Sequence, residues 1–314
     1  AVSAYKIYFV THHYYADVYL EPFGSPLVHG SYVYAKTSSS ERVCIEGRVE
    51  RIKNLETHVA PSVVKYLTEF AERLVPVIGE GHPVEEDEVF RRQKRPTQRH
   101  LLNKAVVTGP NEPSVVSATI KPETAQEPSD PRNISVLQPK LKLAYSRYLY
   151  AIDALIREQK WYAFGKTPVE IAERIVEILA DAKRCSLADG NRFDGRLTRV
   201  VRVLERLIML RYFHRSHHRE MNECMDKQID VLAYTESGEQ YRTGYSRMSG
   251  SPETADFNTV ATAAIDYMAH RSDGMDPDAA WASIGIHGGD DSFSTADPNS
   301  LATSASMIGQ RYTV

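Results

Sequence analysis

The chain has 314 residues, of which 42% are hydrophobic and 25% are charged, so it is long enough to bury one large core or two smaller ones. Its formal net charge of −3 excludes a general attraction to nucleic acid, and any such contact must come from local basic patches. Three widely spaced cysteines without CxxC pairing suit reduced thiols better than a disulfide scaffold, and no apolar run reaches the roughly 20 residues of a membrane-spanning helix.

The first quarter of the chain contains one clear helical signal. Residues 1–58 are rich in Tyr, Val, Ser and Thr, and alternating runs such as Tyr32-Val33-Tyr34 favour strands over helices. Between Ala60 and Leu74 apolar residues recur at helical spacing, and Pro76 and Gly79 end this predicted helix. Because the chain does not open on methionine, we expect its start to be internal to a longer protein.

A polar region follows this helix. Its basic cluster suits contact with an RNA backbone or simple solubility, and comprises Arg91, Arg92, Lys94, Arg95, Arg99 and Lys104. The stretch from Thr108 to Asp130 contains prolines, which lack the backbone donor that a central strand requires. We therefore expect a loop or a long hairpin between Thr108 and Asp130.

The second half has more regular patterns. Thr167 and Glu170 have the spacing of a capping box around Pro168, which predicts a helix running to about Ala182. Residues Cys185 to Ala188 suit a short buried strand that delivers Asp189 at its end.

Two more helices and a hairpin are predicted after Asp189. The first helix has a buried face of Leu197, Val200, Val201, Leu204, Leu207 and Ile208. Its arginines, Arg196, Arg199, Arg202 and Arg206, are placed on the other face, which either lines an RNA channel or is simply solvated. Ser251-Pro252-Glu253 starts the next helix, and Ala282 to Ser294 predicts a strand, a tight turn and a strand.

Three motifs with acidic or small residues occur in a fixed order. The first runs from Asp189 to Asp194, with an aspartate at each end. The second runs from Ser249 to Asn258, and its Thr254 and Asn258 are four residues apart, hence on one helical face. The third is Gly288-Gly289-Asp290-Asp291. Each alone is commonly an ordinary turn or helix start, so the argument depends on their combination.

The combination suits phosphoryl transfer, which needs divalent ions to clamp the attacking and leaving oxygens more than it needs covalent help. Magnesium prefers carboxylate oxygens and keeps several waters, so two or three carboxylates from different strands suffice. We predict Asp189 and Asp290 as ligands of two Mg²⁺ or Mn²⁺ ions, with Asp291 as a weaker third ligand.

These residues resemble the palm motifs of RNA-dependent RNA polymerases of positive-strand RNA viruses. Motif A (Asp-x4-Asp), motif B (Ser-Gly-x3-Thr-x3-Asn) and motif C (Gly-Asp-Asp) are matched by the three segments in that order. The segments Arg192-Phe193-Asp194-Gly195 and Ser249-Gly250-Ser251-Pro252 look most similar to the corresponding segments of nodavirus-like replicases. Upstream, Lys121-Pro122-Glu123 and Pro131-Arg132-Asn133-Ile134 are similar to the fingers motif F.

The resemblance implies roles for single residues. Asp189, Asp290 and Asp291 would bind the catalytic metals, and Asp194 with Asn258 would recognise the ribose 2′-hydroxyl. A second group would position template and nucleotide or neutralise the triphosphate, namely Ser249, Gly250, Thr254, Lys121 and Arg132.

The resemblance also implies a fold and partners. We expect an α+β fragment of a right-hand polymerase, with an upstream region of unknown role (1–90), fingers (91–184) and a palm with an inserted fingers segment (185–314). We expect this chain to lack the thumb, since only a short Ser/Thr/Ala-rich tail follows Phe293. Expected partners are template and nascent RNA, NTPs, the remaining palm and thumb or other replicase subunits, and a second copy of the chain. The expected location is the host cytoplasm, in replication complexes attached to membranes through other regions.

Two alternatives remain. A reverse transcriptase shares the two-aspartate palm. However, Asn258 paired with Asp194 suits selection of a ribose, whereas enzymes that use deoxynucleotides tend to place a bulky residue against the 2′ position. A non-catalytic RNA-binding or replicase-assembly protein with a degenerate polymerase fold is disfavoured by the intact carboxylates.

Overall fold

The computed structural model describes residues 20–22, 32–52, 59–107, 115–125, 129–180 and 182–314. The α-helices in these ranges are α1 (Ser38–Ile45), α2 (Pro61–Leu74), α3 (Glu86–Arg92), α4 (Pro96–Val107), α5 (Pro139–Arg157), α6 (Pro168–Leu179), α7 (Arg199–Tyr212), α8 (His218–Asp226), α9 (Thr254–Ser272), α10 (Pro277–Ala282) and α11 (Pro298–Met307). The strands are β1 (Leu20–Pro22), β2 (Tyr32–Tyr34), β3 (Val115–Ile120), β4 (Thr124–Ala125), β5 (Asn133–Val136), β6 (Ser186–Gly190), β7 (Leu232–Tyr234), β8 (Gln240–Arg242), β9 (Ile286–Gly288), β10 (Asp291–Ser294) and β11 (Tyr312–Thr313). This mixture confirms the predicted α+β class, while the division at residues 90 and 184 stays a prediction.

The N-terminal strand prediction is partly wrong. Tyr32–Tyr34 is a strand, but the chain from Ser38 to Ile45 is helical and continues into a π-helical turn. The Thr37 hydroxyl accepts the Ser40 N–H at 3.3 Å and so caps α1, a signal that outweighs the strand preference of the composition. The parts of this prediction at 1–19, 23–31 and 53–58 lie outside the described residues.

The stretch from Thr108 to Asp130 is predicted to be a loop or a long hairpin. The hairpin is confirmed in part, because β3 pairs antiparallel with β5, but the expectation that no central strand lies here is wrong. β3 lies between β5 and β7 in the sheet ordered β5-β3-β7-β8. Its Val116, Ala118 and Ile120 are buried and Ser117 is exposed, the period-two pattern of a strand with one buried face. Pro122 lies beyond the strand, so it denies no hydrogen bond to the sheet. Residues 108–114 and 126–128 lie outside the described ranges.

Most helix predictions of the second half are confirmed. Thr167 and Glu170 form both hydrogen bonds of the capping box, and α6 ends at Leu179, slightly before the expected Ala182. The helix expected from Ser251 begins at Thr254.

The sheet that carries Asp189 and Asp291 has the order β11-β6-β10-β9, and all of its pairings are antiparallel. The edge strand β11 and the preceding α11 come from the region described above as a short tail. Asp297 caps α11 by accepting the N–H groups of Asn299 and Ser300, and Leu301 and Ala305 bury its apolar face. The tail is therefore a folded part of the sheet layer.

α9 is the central helix of the main core. Every residue from Asp256 to His270 is buried, and the helix contacts α2, α10, α11 and the β9-β10 hairpin. Small residues such as Ala261, Ala263 and Ala264 allow close approach on all sides. Among the described residues, no helix has both the length and the hydropathy required to cross a membrane.

Asp256 generates a prediction about pH-dependent stability. Burial raises its pKa from 3.8 to about 6, although the Tyr162 hydroxyl donates a hydrogen bond to it. Between about pH 4 and pH 6 the folded state then binds more protons than the unfolded state, so stability falls as pH rises through this window. A shift of about two units corresponds to roughly 3 kcal/mol. Asp256→Asn, which can still accept from Tyr162, should remove this part of the pH dependence.

The measurement is urea denaturation of both proteins at pH 4.5 and pH 7. We expect the free energy of unfolding of Asp256→Asn to exceed that of the wild type at pH 7, with a smaller difference at pH 4.5. Equal pH dependence in the two proteins would contradict the prediction.

Candidate active site

Three carboxylates meet at one end of the β6-β10 pair. The Cα atoms of Asp189 and Asp291 are direct partners across the antiparallel strands, and Asp290 lies in the turn between β9 and β10. Asp189 and Asp291 are exposed, whereas Asp290 is half-buried. The sheet therefore brings together the three residues that the sequence predicts as metal ligands, although Asp189 precedes the other two by about a hundred positions.

The β9-β10 turn is fixed to α9 by two threonine hydroxyls. Gly289 has φ of +71°, a conformation that favours glycine, and its N–H donates to Thr259 Oγ1 at 2.9 Å. Thr262 Oγ1 lies 3.1 Å from the Gly289 carbonyl and 2.9 Å from the Thr259 carbonyl, so its one hydroxyl proton is shared between these two acceptors. Sequence reasoning missed both threonines, although polar residues three apart in an otherwise apolar helix are a signal for buried hydrogen bonding.

Asp266, one turn further along α9, holds the base of the same hairpin. Its Oδ2 accepts the Gly285 N–H at 2.9 Å and lies 3.1 Å from His287 Nε2, and Ser294 Oγ donates to Oδ1 at 2.5 Å. Burial opposes the charge of this carboxylate, but these hydrogen bonds and the neighbouring His287 outweigh it and lower its pKa. The hairpin is thus anchored at its tip and at its base.

Electrostatic repulsion is concentrated at Asp290. Burial raises its pKa, and the nearby carboxylates of Asp194, Asp291 and Asp189 raise it further, while a backbone hydrogen bond acts in the opposite direction. A cation bound among these groups would relieve the repulsion.

The donor chemistry fits a hard divalent ion. The cluster offers carboxylate oxygens without thiol or imidazole ligands, which suits Mg²⁺ or Mn²⁺. Within the described ranges, no group of three His, Cys, Asp or Glu side chains is already arranged to hold an ion. Magnesium keeps several waters and needs only one or two protein carboxylates, so a preformed cage is not required.

The predicted ribose pair is brought into contact. Asp194 lies in a 3-10 turn after β6, and Asn258 lies in the second turn of α9. Asn258 Nδ2 donates to Asp194 Oδ1 at 2.7 Å. The amide oxygen of Asn258 accepts from Arg247 Nε at 2.9 Å. Among the described residues, one amide N–H of Asn258 and the second oxygen of Asp194 have no other hydrogen-bond partner.

The expectation that Arg202 lies on a face of α7 that lines an RNA channel or is solvated is wrong. Its side chain is only 6% exposed and forms ion pairs with Glu205 at 3.0 Å and Glu253 at 2.6 Å. Arg247, which the motif analysis missed, pairs with the same two glutamates. Arg202 therefore neither lines a channel nor faces solvent, because its charge is balanced inside the protein.

The loop before α9 docks on β5. Gly250 N–H donates to the Ser135 carbonyl at 2.9 Å, and a Cβ atom on Gly250 would lie 2.6 Å from that oxygen. Ser249 Oγ accepts the Ser135 N–H at 3.2 Å. Thr254 Oγ1 lies 3.0 Å from the Met248 carbonyl and closes the loop on itself. The predicted loop residues are thus held together, and β5 begins within the motif F segment, at Asn133.

The two predicted triphosphate ligands lie side by side. Lys121 N–H donates to the Arg132 carbonyl at 2.8 Å, and both side chains pair with Glu123. Arg48 is a third cation in this region, which the sequence did not single out. Burial lowers its pKa, and Arg192 and Arg132 lower it further. The positive charges of Arg48, Arg132 and Arg192 are therefore close enough to interact, with Asp130 partly neutralising them.

Comparison with known proteins agrees with this geometry. The model of a family described as viral RNA dependent RNA polymerase matches residues 29–282. The RNA-directed RNA polymerase of Striped jack nervous necrosis virus is 32% identical over 292 residues, which cover 90% of this chain and 30% of that protein. That of Pariacoto virus is 31% identical over 252 residues, covering 78% of this chain and 25% of that protein. The chain thus spans about 30% or less of the length of these relatives.

The fold is also similar to a solved structure. The RNA-dependent RNA polymerase of a human picorbirnavirus, an insertion-loop deletion mutant, superimposes with a TM-score of 0.70 over 88% of this chain and 59% of that chain. The sequence identity is 12%, so this likeness concerns the fold alone.

The threonine anchors predict a stability effect. Thr259→Val should destabilise the protein by about 1–3 kcal/mol, because it leaves the buried Gly289 N–H without its acceptor. Thr259→Ser keeps the hydroxyl and serves as the matched control. The free energy of unfolding measured by urea denaturation should be lower for the valine variant than for the serine variant, and the reverse order would contradict the anchoring role.

Proposed function

Since the chain belongs to the family of viral RNA-dependent RNA polymerases, we propose that it forms the catalytic centre of such an enzyme from a positive-strand RNA virus. The reaction is template-directed transfer of a nucleotide from an NTP to the 3′-hydroxyl of a growing RNA, with release of pyrophosphate. The observation that carries the proposal is the pairing of Asp189 with Asp291 across β6 and β10, with Asp290 beside them.

Asp189, Asp290 and Asp291 would hold two Mg²⁺ or Mn²⁺ ions, which supply charge neutralisation at the attacking and leaving oxygens when bound. The protein's own contribution is to hold the three carboxylates at the ends of paired strands. The threonine anchors on α9 keep the turn in place, so little reorganisation is required when charge develops.

Asp194 and Asn258 would bind the ribose. Beside their mutual hydrogen bond, the second carboxylate oxygen of Asp194 would accept a hydrogen bond from the 2′-hydroxyl. The second amide N–H of Asn258 would donate one to the hydroxyl oxygen. A deoxynucleotide would leave these polar groups without that partner, which disfavours its incorporation. This arrangement supports a ribonucleotide substrate over the deoxynucleotides of a reverse transcriptase.

Lys121 and Arg132 would neutralise the triphosphate, Arg132 through its planar fork and Lys121 as a point charge. Both are partly exposed and are paired with the single carboxylate of Glu123, so they carry an excess of positive charge. Ser249, Gly250 and Thr254 would position template and nucleotide through the loop docked on β5. Further proposed partners are the template and nascent RNA, the rest of the palm and thumb or other replicase subunits, and a second copy of the chain. The proposed site of action is the host cytoplasm, in membrane-associated replication complexes.

The carboxylate cluster predicts the effect of Asp290→Asn. Loss of one metal-binding charge should lower the rate of nucleotide incorporation by at least about 100-fold in a primer-extension assay on the full-length polypeptide. In metal-free buffer the same variant should unfold at an equal or higher temperature, because repulsion among the carboxylates is relieved. Asp87→Asn, at an exposed position of α3, is the control. Incorporation at the wild-type rate by Asp290→Asn would refute the metal assignment.

The ribose pair predicts a change in sugar discrimination. Asn258→Ala should reduce the ratio of kcat/KM for an NTP over the matching dNTP by about 10-fold or more, since one good hydrogen bond to the 2′-hydroxyl is lost. The control is Asn299→Ala, an exposed asparagine of α11. Unchanged discrimination in Asn258→Ala would remove this residue from the ribose role.

A further inference from the structure

Two arginines and two glutamates form a buried network behind the ribose pair. Arg247 is fully buried, and its Nη1 donates to Glu253 at 2.7 Å while its Nη2 donates to Glu205 at 2.5 Å. Arg202 donates to the same two carboxylates. The four formal charges cancel, which is the condition under which such groups tolerate burial.

Arg247 alone extends from this network to both members of the ribose pair. Its backbone N–H donates to the Asp194 carbonyl at 2.8 Å. Its side-chain Nε donates to Asn258 Oδ1 at 2.9 Å. Arg247 thus contacts the turn that carries Asp194 and the amide of Asn258.

These contacts determine the orientation of the Asn258 amide. Arginine nitrogens can only donate and an ionised carboxylate can only accept, so Arg247 selects the amide oxygen and Asp194 selects the amide nitrogen. Burial opposes the charge of Arg247, but Glu205 and Glu253 outweigh it and raise the pKa of the guanidinium. The Arg247 guanidinium therefore stays protonated, and it acts as a hydrogen-bond donor as long as the protein is folded.

We propose that Arg247 is a positioning residue for ribose selection, which acts by holding the Asn258 amide with one N–H directed to the nucleotide site. The proposal rests on the ribose role given above to Asp194 and Asn258. Arg202 differs in this respect, because its remaining donors bond to the Tyr245 and Ser246 carbonyls, at 3.0 Å each, rather than to the ribose pair.

This difference provides a matched pair of variants. Arg247→Met with Glu205→Gln, and Arg202→Met with Glu205→Gln, each remove one positive and one negative charge from the same network. The first pair of substitutions also removes the hydrogen bond to Asn258, and the second does not. Arg247→Lys is a third variant, which keeps the charge but lacks the fork that reaches both glutamates and the amide.

The experiment measures the ratio of kcat/KM for an NTP over its dNTP by primer extension with the full-length polypeptide, together with thermal unfolding of each variant. We expect the Arg247 double variant and Arg247→Lys to lower the ratio by about 10-fold, and the Arg202 double variant to change it by less than about 3-fold. Adding Asn258→Ala to Arg247→Lys should cause little further loss, because both changes affect one hydrogen-bonded unit.

The outcomes separate this proposal from the one on which it rests. If Asn258→Ala lowers the ratio but Arg247→Lys, folded at the assay temperature, does not, Arg247 has no positioning role and the ribose pair stands. The same conclusion follows if both double variants lower the ratio equally. If Asn258→Ala itself leaves the ratio unchanged, the ribose pair is refuted and the role of Arg247 is refuted with it.

Discussion

The buried polar face of α9 is the constraint on which the rest of the site depends. Asn258, Thr259, Thr262 and Asp266 lie on a helix whose surroundings are apolar, so each must find a hydrogen-bond partner within the protein. Their partners are Asp194, the Gly289 backbone and the base of the β9-β10 hairpin. The need to satisfy these groups therefore fixes the positions of the motif A turn and the motif C turn relative to one helix.

Two groups of charged side chains lie near this helix, one with balanced charges and one without. The balanced group is a buried network in which two arginines neutralise two glutamates, namely Arg202, Arg247, Glu205 and Glu253. At the β9-β10 turn, the carboxylates around Asp290 repel one another, and among the residues that the structure describes none of them forms an ion pair with a basic side chain. The balanced network contributes a fixed geometry, and the unbalanced cluster is where we propose that the cations required for nucleotidyl transfer bind. Unfavourable electrostatics at a site and compensation beside it are a common feature of functional centres.

The site is assembled from segments that are far apart in the chain. β5 supports the Ser249-Gly250 loop, which follows it by more than a hundred residues, and Arg48 lies near both Arg132 and Arg192. The tail after β10 adds α11 against α9 and β11 beside β6, where Thr313 is the Cα partner of Asp189. The strand that bears Asp189 is therefore flanked on both sides, by β10 and by β11, which limits the movement of its carboxylate-bearing end.

The sequence by itself determined the motifs, the helices with strong capping or periodic signals, the β9-β10 hairpin and the residues that could bind metal, ribose and triphosphate. These are local properties, set by side-chain chemistry and by spacing along the chain. It did not determine that Val115–Ile120 is a central strand, that Arg202 is buried or that Arg247 contacts Asn258. Those features depend on which distant segments meet, because the burial of a strand or a charge is decided by its partners across the fold.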